Sequence, residues 1–438
     1  MNQYRQGMAR ALDRRQVLWL GAMAGLGAAT LPRLLRAAEA RPELMPQVRG
    51  VIERWVGPGK FPGMIAALGL AGRDPEFVAR GTEGFTDADM VTPDSLFRIY
   101  SMTKPVTGIA AMLLVDEGRL KLDQPLADIL PKFANMQVQK TYDGSLTDLV
   151  PAQRPITIRH LITHTSGLGY SIIQRGPIKE AMENAGVIAG QISRKSIPGL
   201  ERGKPVPSLE LFADRLASFP LVYQPGTKWS YSVGLDLMGR VIEVVSGKPF
   251  DVFLKERIFD PAGMTSTFFE VPKSEAGRLT TNYGAVAGAL VPIDGGMDSI
   301  YLDKPPFPFG GAGLVSSPRD YDRFLRMLGQ FGRIDRNRVL GEGAVRAGTG
   351  DLLPPGVEGP ALMSPQSGFG AGGRVGVGAE TGIFGWAGAA GTVGTIDMGR
   401  ALRSGIYVQF MPPNANSLLP EYQKALQADV LALLAGQA

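Results

Sequence analysis

The chain has 438 residues, 44% apolar and 20% charged, ordinary for a globular protein and long enough for two structural lobes. With no cysteine and only two histidines, His160 and His164, disulfides, thiolate catalysis and Cys-ligated metals are excluded, and little remains for a His-based metal site. Of the net charge of +5, six arginines against Asp13 and Glu39 place +4 in residues 1–40, so the remaining chain carries no basic surplus of the kind that nucleic-acid binding needs.

In chain order, residues 1–40 read as a targeting segment. Arg14-Arg15 is a twin-arginine pair, an apolar small-residue run follows over 17–31, and Ala38-Glu39-Ala40 offers a small-x-small cleavage site. Fifteen residues are too few for a comfortable bilayer span, so no stable membrane span is expected. An uncleaved anchor is the alternative. The expectation is an exported, periplasmic or secreted protein whose mature domain covers residues 41–438.

Residues 41–55 predict an entry helix, and 64–71 and 77–85 two strands of a hairpin broken at Gly72-Arg73-Asp74-Pro75. Val106, Ile109, Ala110, Leu113 and Leu114 recur at helical spacing up to Gly118. The stretch 119–265 is mainly helical, with a surface excursion over 196–207 and a helix over 233–246. Ser317-Pro318-Arg319-Asp320 gives an N-cap serine, a proline at the first helical position and an early acid, opening a helix to about residue 328. Strands over 392–398 and 402–410 pair around Gly399-Arg400, and a last helix covers 419–434. Early strands, a helical middle and late strands predict an α+β fold: one antiparallel sheet flanked by helices (41–115 with 270–438) and an inserted helical lobe (116–269).

Ser101-Met102-Thr103-Lys104 is the strongest chemical candidate. A serine hydroxyl needs an adjacent base to act as a nucleophile, and three residues of helix bring a lysine within reach. A helix start at Ser101 also favours developing negative charge. Alone, the pair reads as a capping serine and a solvated lysine. Tyr231 precedes a helix that Ser232 can cap, and by itself reads as an aromatic staple. His164 with Ser101 suggests a conventional triad, but the chain contains no G-x-S-x-G elbow and no H-E-x-x-H. Both histidines therefore read as structural hydrogen-bonding residues. Residues 368–373 formally fit a dinucleotide fingerprint, without the strand and βαβ context it requires.

The segment from Thr92 through Ser101 to Lys104 resembles the nucleophile region of class C β-lactamases, D-alanyl-D-alanine peptidases and related carboxylesterases. His164-Thr165-Ser166-Gly167, Pro225-Gly226 with Tyr231-Ser232, Gly310 to Leu314, and Gly385-Trp386-Ala387-Gly388-Ala389 follow in that family's order. The resemblance extends over most of 43–435 and implies the β-lactamase/D-Ala-D-Ala peptidase-like fold. It implies Ser101 as nucleophile with Lys104 and Tyr231 as proton-transfer partners, the choice of base between these two staying open. It also implies the amides of Ser101 and Ala389 as oxyanion hole, and Trp386, Ala387, Gly388 and Val233 along the substrate pocket.

Where lactamases and peptidases of this kind carry Lys/His-Thr-Gly, the chain has Trp386-Ala387-Gly388, and Val233 stands in place of the Y-x-N asparagine. This is similar to the carboxylesterase branch and implies cleavage of carboxylic esters, short acyl chains foremost, through an acyl-enzyme with no metal or organic cofactor. An amide hydrolase of the same fold, an acyltransferase and a catalytically dead wall-binding relative are the rivals.

Overall fold

The structure is a computed structural model that describes residues 43–197, 203–286, 289–360 and 367–436. The expected leader, residues 1–40, and the middle of the 196–207 excursion lie outside these.

The first described helix, α1 (Pro46–Trp55), starts later than the sequence pattern suggests. Pro46 occupies its first turn, where a missing N–H costs nothing. The free amides of Gln47 and Val48 are met by the Asp429 carboxylate at 3.0 Å each. Strands β1 (Gly63–Leu70) and β2 (Glu76–Gly81) form the expected hairpin. Helix α2 (Thr103–Asp116) is buried on nearly every side, as its apolar composition requires.

Two further helices matter to the site: α3 (Gly234–Ser246) and α4 (Pro318–Gly329). The Ser317 hydroxyl receives the Asp320 amide at 3.1 Å, so the predicted cap forms. Between α2 and α4 the chain also carries helices Pro177–Asn184 and Leu209–Leu216 and a small strand pair, Gln137–Gln139 with Leu149–Pro151.

The late strands are β3 (Ser367–Phe369), β4 (Arg374–Gly376), β5 (Ile383–Ala387), β6 (Val393–Asp397) and β7 (Leu402–Tyr407), followed by helix α5 (Leu418–Ala435). They join the early hairpin in one seven-stranded sheet of order β3-β4-β5-β6-β7-β1-β2, antiparallel throughout. The fold is α+β. Helix α4 covers the sheet with Tyr321, Phe324, Leu325 and Leu328. A buried Arg403–Asp322 ion pair, 2.8 Å from Nε to Oδ1, ties β7 to that helix.

The glycine-rich stretch that matches a dinucleotide fingerprint is a β-hairpin. Gly370 N–H donates to Gly373 O at 2.8 Å between β3 and β4. The next element is a single 3₁₀ turn, Gly378–Glu380, leading into β5, and no α-helix opens directly after the glycines, so the fingerprint has no structural counterpart.

Candidate active site

Ser101 lies where a short strand turns into α2. Phe97–Arg98 pairs with Val315–Ser316, fixing the approach. Arg98 is fully buried, donating to Asp294 Oδ2 at 2.6 Å and to Ser299 Oγ at 2.9 Å. Tyr100 then adopts φ +42°, a left-handed conformation that costs a bulky residue energy and needs support from its surroundings. Asn282 supplies some of it, donating to the Tyr100 hydroxyl at 3.1 Å. A 3₁₀ turn, Tyr100–Met102, follows. It leaves Ser101 half-buried, while Met102, Thr103 and Lys104 are sealed inside. Ser101 thus precedes the α-helix by one tight turn, whereas the sequence pattern places it at the helix start.

Three anchors hold this turn. Tyr321 of α4 donates to Met102 O at 3.1 Å, and Leu314 N–H donates to Thr103 Oγ1 at 3.0 Å. The third is Gly388, where a Cβ would stand 2.4 Å from Ile99 O. Only glycine lets the end of β5 run this close to the nucleophile turn.

The Lys104 side chain joins the candidates. Its Nζ lies 3.3 Å from Ser101 Oγ, donates to Gly311 O at 2.7 Å, and sits 4.5 Å from the centre of the Tyr231 ring. Tyr231 is half-buried in the extended segment before α3. Its hydroxyl accepts from Trp386 Nε1 at 3.2 Å. Its ring meets those of His164 at 4.7 Å, Tyr170 at 5.8 Å and Trp386 at 5.9 Å. Ser101, Lys104, Tyr231 and Trp386, dispersed over almost 300 residues of sequence, form one cluster. The amides of Ser101 and Ala389 make no hydrogen bond within the described protein. Ala387 and Ala389 are half-buried, Gly388 is buried and Trp386 is 6% exposed.

Val233 differs from its expected place on the pocket wall. It stands just before α3 with its side chain fully buried in the core, so it offers no surface to a ligand.

The histidines are built in as hydrogen-bonding residues. His160 Nδ1 accepts from Thr157 N–H at 3.2 Å while its own amide donates to Thr157 Oγ1, a reciprocal cap. Burial, with Arg154 nearby, lowers the His160 imidazole to about 4. His164 Nδ1 accepts from Ser232 N–H at 3.2 Å. That places the proton of a neutral ring on Nε2. Complete burial, and then the Lys104 charge, hold His164 well below its ordinary value. The ring is a neutral wall beneath Tyr231, not a general base. Among the described residues no three His, Asp or Glu side chains are grouped so as to hold a metal, and no helix is long and apolar enough to cross a membrane.

Sequence reading missed Asp236. This fully buried carboxylate of α3 accepts the Gly311 amide at 2.8 Å, on the residue whose carbonyl receives Lys104. An acid flanked by Leu235 and Leu237 inside an amphipathic helix was the available signal.

The family described as Beta-lactamase matches the chain over residues 48–429. Protein Rv1367c of Mycobacterium tuberculosis is 37% identical over 273 residues, covering 62% of this chain and 63% of that protein. Esterase EstB of Burkholderia gladioli is 30% identical over 283 residues, covering 60% of this chain and 66% of that protein. The matched stretch thus spans just under two thirds of either relative. Among solved structures, EstCE1, described as a hydrolase with promiscuous acyltransferase activity, superposes with a TM-score of 0.70 at 24% identity, over 87% of this chain and 97% of that one.

Proposed function

The chain belongs to the Beta-lactamase family, and from that premise we propose that it is a serine hydrolase of carboxylic esters. Ser101 Oγ attacks the ester carbonyl, Lys104 and Tyr231 carry the proton from Ser101 to the leaving alcohol, and water releases the acid from the acyl-enzyme. The amides of Ser101 and Ala389, both without a hydrogen-bond partner among the described residues, are the donors to the oxyanion. The observation that carries this reading is the position of Lys104 Nζ, 3.3 Å from Ser101 Oγ and 4.5 Å from the Tyr231 ring centre.

The ester preference rests on Trp386 and Ala387, an indole and a methyl where a carboxylate-binding pair would be needed for a penicillin. The similarity to Esterase EstB supports it. Acyl transfer is the same chemistry with an alcohol in place of water, and the likeness to EstCE1 favours testing for it. The twin arginines and Ala38-Glu39-Ala40 support export to the periplasm, with a mature chain starting near Arg41. N-terminal sequencing of the protein from its native host tests that, and an intact Met1 form in the membrane would favour the anchor.

The decisive experiment for the chemistry combines fluorophosphonate labelling with hydrolysis of a butyrate ester. Mass spectrometry is expected to place the adduct on Ser101, and Ser101→Ala to lose both label and turnover. Undiminished labelling of Ser101→Ala would overturn the assignment.

A further inference from the structure

The loop carrying Gly310 and Gly311 is clamped between two helices. From α2, Thr107 Oγ1 donates to Gly310 O at 2.7 Å and Lys104 Nζ donates to Gly311 O at 2.7 Å. From α3, Asp236 Oδ1 accepts the Gly311 N–H at 2.8 Å. The amide and the carbonyl of one residue are thus taken by Asp236 and Lys104 respectively. The carboxylate lies flat against that residue: a Cβ on Gly311 would come within 2.5 Å of Asp236 Oδ2. Oδ2 itself is buried and has no hydrogen-bond partner among the described residues.

A structural hydrogen bond to one amide does not need a charge. An asparagine would accept the Gly311 N–H equally well and would avoid a buried, half-satisfied carboxylate, which is costly unless a countercharge offsets it. The charge that acts on Asp236 is that of Lys104. The 309–314 loop presents its amide to the carboxylate; of the other titratable groups around Lys104, His164 is held neutral and Tyr231 meets the lysine with its ring. Building on the proposed Ser101–Lys104–Tyr231 relay, we infer that Asp236 is a positioning residue of the site: it fixes the Gly311 peptide that receives Lys104 and supplies the buried countercharge to that lysine.

Burial pushes the Asp236 carboxyl up to about 6, with Lys104 and the Gly311 amide pulling the other way. Its charge therefore appears as the pH rises through about 6. His160 titrates at about 4, and complete burial with the Lys104 charge holds His164 well below its ordinary range. Asp320, at about 6, and Glu83, at about 7, titrate near the same window, so a rise in kcat through pH 6 is assigned to Asp236 by its loss in Asp236→Asn.

The test is the pH dependence of kcat for a butyrate ester from pH 4.5 to 9, in wild type and Asp236→Asn, with circular dichroism to verify folding. Asparagine keeps the acceptor for Gly311 N–H and removes the charge. Wild type should show a rising limb centred near pH 6. Asp236→Asn should lose that limb and fall at least ~10-fold in kcat at pH 8, equal to 1.4 kcal/mol, with KM within ~3-fold. Asp236→Ser, whose hydroxyl can also accept the amide, is read in the same way should the asparagine variant not fold. A folded variant that keeps the rising limb, or keeps kcat within ~3-fold of wild type, overturns the inference. Ser101→Ala and Lys104→Ala are run alongside. If both are inactive while Asp236→Asn behaves as wild type, only the role of Asp236 falls. If either remains fully active, the relay itself falls, and this inference with it.

Discussion

The Trp386 indole donates its Nε1 proton to the Tyr231 hydroxyl over 3.2 Å. The residue that stands in place of a lactamase's lysine or histidine therefore touches the proposed proton relay. A donor aimed at a phenol oxygen stabilises the phenolate more than the phenol, because hydrogen bonds to charged groups are the stronger ones. Trp386→Phe keeps a ring against Phe369, whose centre lies 5.3 Å away, while removing the donor and the second ring of the indole. The expected result is a folded enzyme with kcat lowered ~10-fold and KM changed less than ~3-fold. An unchanged kcat would reduce the indole to a packing role.

Lys104 Nζ lies over the Tyr231 ring, 4.5 Å from its centre, which places the two side chains close enough to act as one unit. Lys104→Ala and Tyr231→Phe should each lower kcat by roughly 10³-fold or more, and the double variant by little beyond the worse single one. Steady-state kinetics on all three settles the point. Multiplicative losses would separate the two groups into independent roles.

The share of this site that the sequence exposes depends on how local each contact is. Ser101 and Lys104 were legible because one helical turn joins them, and Ser317 because its cap is made to Asp320, three residues on. The antiparallel sheet was legible through its hairpins, since Gly399-Arg400 brings β6 and β7 into register. Three features were not. Asp236 meets Gly311 across 75 residues, and in sequence it is one acid in a helical pattern. The φ of +42° at Tyr100 is imposed by packing, as no glycine or asparagine marks the position. Val233 follows the Tyr231-Ser232 pair and so suggests a pocket wall, but the start of α3 rotates its side chain into the core.

The proposed substrate class rests on the side chains beside the Ser101–Lys104–Tyr231 cluster. Trp386 and Ala387 offer an indole and a methyl, with Val233 turned inward. Desolvating a penicillin carboxylate against them without a partner costs several kcal/mol, whereas an ester's acyl chain gains about 0.8 kcal/mol per buried methylene. A butyrate ester should be turned over at least ~100-fold more efficiently than an ordinary penicillin, about 2.7 kcal/mol in transition-state binding. Weak turnover of a strained chromogenic cephalosporin fits this picture, because its ring is an unusually reactive amide. Comparable kcat/KM values for the butyrate ester and the penicillin would overturn the ester preference and promote the lactamase reading.

Asp236 also makes a prediction about stability, with a sign opposite to that of a surface carboxylate. Its folded-state value, about 6, lies above the ordinary 3.8, burial outweighing the Lys104 charge and the Gly311 amide. The folded protein thus binds this proton more tightly than the unfolded chain, so stability is complete below about pH 4 and declines as the pH rises through 6. At pH 8 the ionised carboxylate costs on the order of 3 kcal/mol, which Asp236→Asn should recover. The variant is expected to be more stable than wild type in urea unfolding at pH 8, with the advantage shrinking between pH 6 and pH 4.5. A group kept at a cost to the fold is consistent with one kept for the reaction. If Asp236→Asn is instead less stable than wild type at pH 8, the carboxylate holds the Gly310–Gly311 loop more strongly than its burial opposes it. Its charge would then be part of the scaffold.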